Sequence, residues 1–94
     1  MLFKIFNKIF NKDLSKHLIK SATLSGKACL LKNELKYENF KNINEAELKI
    51  FSQNGEDGII DFLLFKLSIK NPKFIEIGVE NYDESNTRFL YESC

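Results

Sequence analysis

The sequence predicts an α/β fold: N-terminal helices followed by the first strand and helix of a doubly wound parallel architecture, truncated after them. Three observations carry that expectation. Apolar residues recur at helical spacing through much of the first fifty positions. A short run that is apolar on both faces except for one acid, Phe74-Ile75-Glu76-Ile77-Gly78-Val79, reads as a buried strand. Helix-permissive segments stand on either side of it, and the order helix, strand, loop, helix is the opening of a βαβ unit. A parallel strand needs a returning neighbour, and none is read before Cys94.

The first element is a helix over residues 2–12, built on a tandem repeat, Lys4-Ile5-Phe6-Asn7 and then Lys8-Ile9-Phe10-Asn11-Lys12. Leu2, Ile5, Phe6 and Ile9 fall at helical spacing, widened by Phe3 and Phe10, with Lys and Asn on the other face. Asp13 or Ser15 is placed to cap a second helix through His17-Leu18-Ile19, and the Ser/Thr/Gly stretch from Ser21 to Gly26 breaks it. A third segment, Lys27 to Tyr37, is helix-permissive, with Leu30, Leu31 and Leu35 as its apolar positions. Residues 38–44 are polar and Asn-rich, and read as a linker.

The chain changes character near Phe51. Ser52 to Gly58 is a loop by composition and opens the strongest helix, about Glu56 to Ser68, on a stripe of Ile60, Leu63, Leu64 and Leu67. Asn54 with Asp57 three residues on resembles a capping pair, and acids in the first turn suit the helix dipole. Asn71-Pro72 stops that helix. After the expected strand, a polar turn from Glu80 to Glu84 leads into a last helix that starts near Ser85 or Asn86 and carries Phe89 and Leu90. The organisation is therefore a helical, basic, amphipathic segment over 1–49 and an incomplete α/β domain over 50–94.

Charge and composition narrow the function classes. Net charge is only +1, yet residues 1–50 hold ten lysines against five acids, while residues 51–94 hold four basic residues against eight acids. The acidic half repels a phosphate backbone and the basic half lacks aromatic interleaving, so no nucleic-acid partner is expected. Cys29 and Cys94 lie far apart with one His in the chain, which gives no zinc set of ordinary ligand spacing and no disulfide framework. No metal is expected, and a reducing cytoplasm is the simpler setting. No apolar run approaches the ~20 residues of a membrane span, and Met1-Leu2-Phe3-Lys4 does not open a signal peptide. The stripe over residues 2–12 has two readings: peripheral contact with an anionic membrane, or an aromatic face packed on its own domain. His17 reads as a surface residue, and Cys29, beside Leu30, as a small buried hydrophobe.

The chemistry-bearing segment follows the expected strand. In doubly wound proteins the ligand sits beyond the carboxyl end of the first strand, where the loop turns tightly. Glu76-Ile77-Gly78-Val79-Glu80 occupies that place. Gly78 lets the backbone pass close to a ligand. Glu76, an acid in an apolar run, is costly to bury unless it accepts hydrogen bonds. Asn54, Gly55, Glu56 and Asp57 read by themselves as a helix cap, which needs no further function.

Phe51-Ser-Gln-Asn-Gly-Glu-Asp-Gly-Ile-Ile60, Phe74-Ile-Glu-Ile-Gly-Val79 and Glu84-Ser-Asn-Thr-Arg-Phe-Leu90 together resemble the start of FkbM-type methyltransferases. That family is similar to the Rossmann-like class of enzymes that use S-adenosylmethionine, and the resemblance covers about residues 50–94. It implies cofactor contacts at Glu76, Gly78 and Glu80, with Asn54, Gly55, Glu56 and Asp57 near the cofactor mouth. In the class the pattern is acid-x-Gly-x-Gly-x-Gly; here Glu80 and Tyr82 stand where the second and third glycines would be. The acceptor-binding and catalytic positions of the class lie on later elements.

The resemblance thus implies a piece of an S-adenosylmethionine-dependent methyltransferase, inactive alone, whose parent reaction is methylation of an acceptor oxygen, sugars included. A complementing chain or self-association is the partner it implies. The alternative is a non-enzymatic peripheral membrane or protein-interaction module that uses the amphipathic N-terminal helix.

Overall fold

The structure, a computed structural model, describes residues 2–78 and 82–93, without the side chains of residues 2, 3 and 5–10. Ser21 to Gly26, expected to break a helix, lies in the middle of one: α1 runs unbroken over Leu2–Glu34, 33 residues. Ser, Thr and Gly each cost up to ~1 kcal/mol in a helix interior, a weak preference that tertiary contact overrides. The contact is specific. A Cβ built on Gly26 would lie 2.6 Å from Ile50 Cδ1, so the glycine lets the Ile50 side chain lie directly on the helix, and any larger residue makes that side chain turn aside. Thr23 is buried and its hydroxyl donates to the Ile19 carbonyl at 2.8 Å, one turn back. The small residues that read as a break are the seat of a crossing. The stripe over residues 2–12 lies on side chains outside the described ones, apart from the exposed Lys4, Asn11 and Lys12.

The expected linker is folded. Single 3-10 turns stand at Tyr37–Asn39 and Ile43–Ala46. The second is capped by Asn42, whose side-chain oxygen accepts from Asn44 N–H at 3.0 Å, while Glu45 Oε2 accepts from Lys41 and Asn42 N–H. Tyr37 is fully buried among Phe40, Phe62 and Phe65, each ring meeting it edge-on with centroids 5.1–5.4 Å apart. That aromatic cluster joins the end of α1 to α2, which spans Glu56–Lys66. α2 ends where expected to within two residues, before Pro72: Ser68 takes a left-handed φ of 55° and Ile69 N–H closes back on the Leu64 carbonyl at 2.9 Å.

No strand forms among the described residues, which corrects the α/β expectation: the described fold is all-helical. Residues 72–77 run irregularly, and Ile75 and Ile77 are 89% and 92% exposed. Their backbone lacks a ladder, and a run that looks buried by composition stays open when no neighbouring strand covers it. Val79, the last residue of the expected strand, lies outside the described residues. A 3-10 turn at Tyr82–Glu84 then leads to α3, Arg88–Ser93, which begins later than Ser85 or Asn86. α1 packs on both α2 and α3, and buries Leu30 against the body as Phe89 is buried from α3. Among the described residues no helix is long and apolar enough to cross a membrane.

Candidate functional site

The loop before α2 is built around Asp57. Its Oδ2 accepts the N–H groups of Ile50, Phe51 and Ser52 at 2.6–2.9 Å, and its own N–H donates to the Ser52 hydroxyl at 3.1 Å. Three consecutive donors on one carboxylate oxygen fold the chain sharply into the helix. Gly55, at φ 92°, is packed on Glu47, and its carbonyl accepts Leu48 N–H at 3.1 Å. Gly58 N–H donates to the Leu48 carbonyl at 3.0 Å, and a Cβ on Gly58 would fall 2.0 Å from the Ala46 carbonyl oxygen. The glycines of this motif admit backbone on both sides. Glu56 accepts Asn54 N–H at 2.8 Å, and the backbone donors of Glu56 itself and of Asn54 hold its carboxyl below the usual range.

Glu76 spans a second loop. Its Oε1 accepts Thr87 N–H at 2.8 Å and its Oε2 accepts Asn86 N–H at 3.2 Å, so one side chain ties both ends of residues 77–85 together. Desolvation pushes its carboxyl up, but the Asn86 and Thr87 donors outweigh it and hold the group below its ordinary value. Gly78 sits just beyond at φ 81°, with no described residue other than its chain neighbour within 4 Å of where a Cβ would stand.

The two loops meet. Asp57 and Asn86 line one small cleft with Ile60 and Phe89, about 20 Å³, room for about one water molecule. Arg88 lies over the Phe51 ring at 4.4 Å, and Phe51 and Phe89 have centroids 6.5 Å apart. Arg88 also pairs with Asp83 at 3.3 Å and with Glu92 at 3.7 Å. At this junction Asp57 Oδ1 and the Ser85 hydroxyl are buried without a hydrogen-bond partner among the described residues. Segments 51–58 and 85–89 therefore pack together, and Glu76 joins them through Asn86 and Thr87.

The expected contacts fall into two groups. Gly55, Glu56 and Asp57 have their space or polar atoms engaged inside the fold, and Asn54 is exposed beside them. Glu76 and Gly78 remain at the surface, Glu76 partly covered and Gly78 exposed. Glu80 lies outside the described residues. The cleft between the loops is far too small for a nucleoside.

Sequence reasoning missed a second polar cluster. The Tyr37 hydroxyl donates to Asp61 Oδ2 at 2.8 Å, and Glu34 stands beside the same carboxylate. Burial first, and then Asp61, raises the Glu34 carboxyl above its ordinary value. Burial, with Asp61 accepting its proton, likewise pushes the Tyr37 phenol far up. The partners come from three elements, and no spacing pattern announces them. Among the described residues no group of three His, Cys, Asp or Glu is disposed to hold a metal ion. No protein family, curated protein or solved structure matches the chain.

Proposed function

We propose that this chain supplies the cofactor loop of an S-adenosylmethionine-dependent methyltransferase and is inactive by itself. The single observation that carries the reading is the Glu76 bridge. It draws the acid-x-Gly turn onto Asn86 and Thr87 while Gly78 stays uncovered at left-handed φ. The three segments that bear the family resemblance are the three joined there. Bound S-adenosylmethionine supplies a methyl group to an acceptor oxygen, a sugar hydroxyl among those the resemblance implies. The residues of this chain bind and orient: Glu76, kept ionised by its two donors, offers negative charge, and Gly78 offers bare backbone.

Titration calorimetry of the purified chain with S-adenosylmethionine tests the proposal. Saturable heat is expected, weakened in Glu76→Gln and abolished in Gly78→Trp, whose side chain fills the open face without touching the core. No heat from a sample whose circular dichroism is helical would overturn it.

A further inference from the structure

The face of α1 turned away from α2 carries exposed leucines bordered by lysines. Leu14, Leu18, Leu24, Leu31 and, one residue beyond the helix, Leu35 are 47%, 63%, 57%, 65% and 83% exposed. The opposite face carries the residues that touch the body, among them Thr23, Gly26 and Leu30. Four of these leucines fall on a seven-residue repeat, Leu14 and Leu35 with Ser21 and Ala28 between them in one register, Leu24 and Leu31 after His17 in the other, and all seven positions are exposed. A strict heptad stripe drifts about 20° per repeat around a straight helix, which suits a second helix wound along it better than a flat surface.

Charge narrows the occupant. Residues 14–33 contain four lysines and no acid. Lys20 and Lys27 border the seam on one side and Lys32 on the other, in the positions that choose partners in coiled coils. Lys16, Lys20 and Lys27, three cations against the single carboxylate of Glu92, also line an open groove of about 580 Å³ between α1 and the end of α3, which Leu24 borders. A second copy is disfavoured in both orientations. Parallel pairing in register sets Lys27 against Lys32, and antiparallel pairing about the middle of the seam sets Lys20 against Lys27.

We propose that this seam docks an acidic amphipathic helix of another protein, with apolar residues in heptad register and Glu or Asp flanking them. The helix lies along Leu14 to Leu35, and its acids reach Lys20, Lys27 and Lys32. The surface belongs to α1 and does not involve Glu76 or Gly78, so its failure and the failure of the cofactor reading are separate results.

The probe is a synthetic helix of about four heptads with leucine on its seam and glutamate on both flanks, titrated against the full chain by fluorescence anisotropy. Saturable binding is expected, at least about tenfold weaker to the same peptide flanked by lysine. Leu24→Asp with Leu31→Asp abolishes it; both side chains are exposed, so helical circular dichroism is retained. Lys20→Glu with Lys27→Glu reverses the preference, so that the lysine-flanked peptide binds better. No binding by a helical sample, equal binding of both peptides, or no reversal in the charge-swapped variant overturns the proposal. So does self-association through the seam in sedimentation, or adsorption of the chain to phosphatidylserine vesicles with no affinity for the acidic peptide.

Discussion

Ser52 and Asp57 cap one another: the Asp57 N–H donates to the Ser52 hydroxyl, and the Asp57 carboxylate accepts the Ser52 N–H at 2.9 Å. Both side chains are buried, and the same carboxylate oxygen takes Ile50 and Phe51 N–H as well. Asp57→Ala strips the acceptor from three backbone donors and is expected to cost about 3 kcal/mol, given ~1–3 kcal/mol for each buried donor left unpaired and partial rescue by water. Asp57→Asn keeps an oxygen but loses the charge, and falls between the two in a urea unfolding series.

Gly58 and Gly78 give opposite answers to the same substitution. A methyl at Gly58 collides with the Ala46 carbonyl oxygen and the Leu48 backbone, so Gly58→Ala is expected to cost roughly 3 kcal/mol or more. Gly78→Ala meets no described residue other than its chain neighbour and bears the left-handed backbone, about 1 kcal/mol. Thermal melts of the two variants rank them directly.

Glu34 makes the fold weaker at neutral pH. Its folded carboxyl binds protons more tightly than the ordinary group, whose value is 4.5, so the folded state holds more protons than the unfolded one above that value. Stability is therefore lost as pH rises from about 4.5 through the raised folded value, and is not regained above it. Glu34→Gln, which mimics the protonated form, raises the melting temperature at pH 7. The advantage vanishes below pH 4.5, and an advantage that did not change with pH would contradict this account.

Tyr37 answers at the alkaline end. Its phenol is raised from an ordinary 10.0 by burial and by Asp61, so its ionisation costs stability as pH climbs past that value. In an absorbance titration Tyr37 should stay protonated until the chain unfolds. Tyr37→Phe removes the donor to Asp61 and costs about 1–2 kcal/mol, since the Asp61 carboxylate loses a hydrogen bond to a buried partner.

What the sequence makes legible follows the range of the interaction responsible. α2 was readable because its signals are local: acids in the first turn, apolar Ile60 and Leu64 at helical spacing, and proline beyond the end. The break expected at Ser21 to Gly26 failed because propensity there is local, whereas Ile50 on Gly26 comes from elsewhere in the chain. Phe74 to Ile77 was read as a buried strand because its composition suits a sheet interior, but composition does not say whether a neighbour exists. Asp57 was recognisable as a capping acid; that it gathers Ile50, Phe51 and Ser52 was not. Glu76 reads as an acid that is costly to bury in an apolar strand; no strand forms among the described residues, and at the surface it accepts Asn86 and Thr87 N–H instead.

The unequal reach of the two carboxylate clamps sets an order of assembly. Asp57 closes loops of only five to seven residues, so the turn into α2 forms at small entropic cost and early. Glu76 must close a loop of ten or eleven residues, and α3 reaches α1 only after nearly the whole chain has been brought round. The α2 turn is then the nucleus, and α3 with the Glu76–Gly78 surface is the last part to dock and the first to open. Amide exchange should reach α3 through brief local detachment while α2 waits for global unfolding.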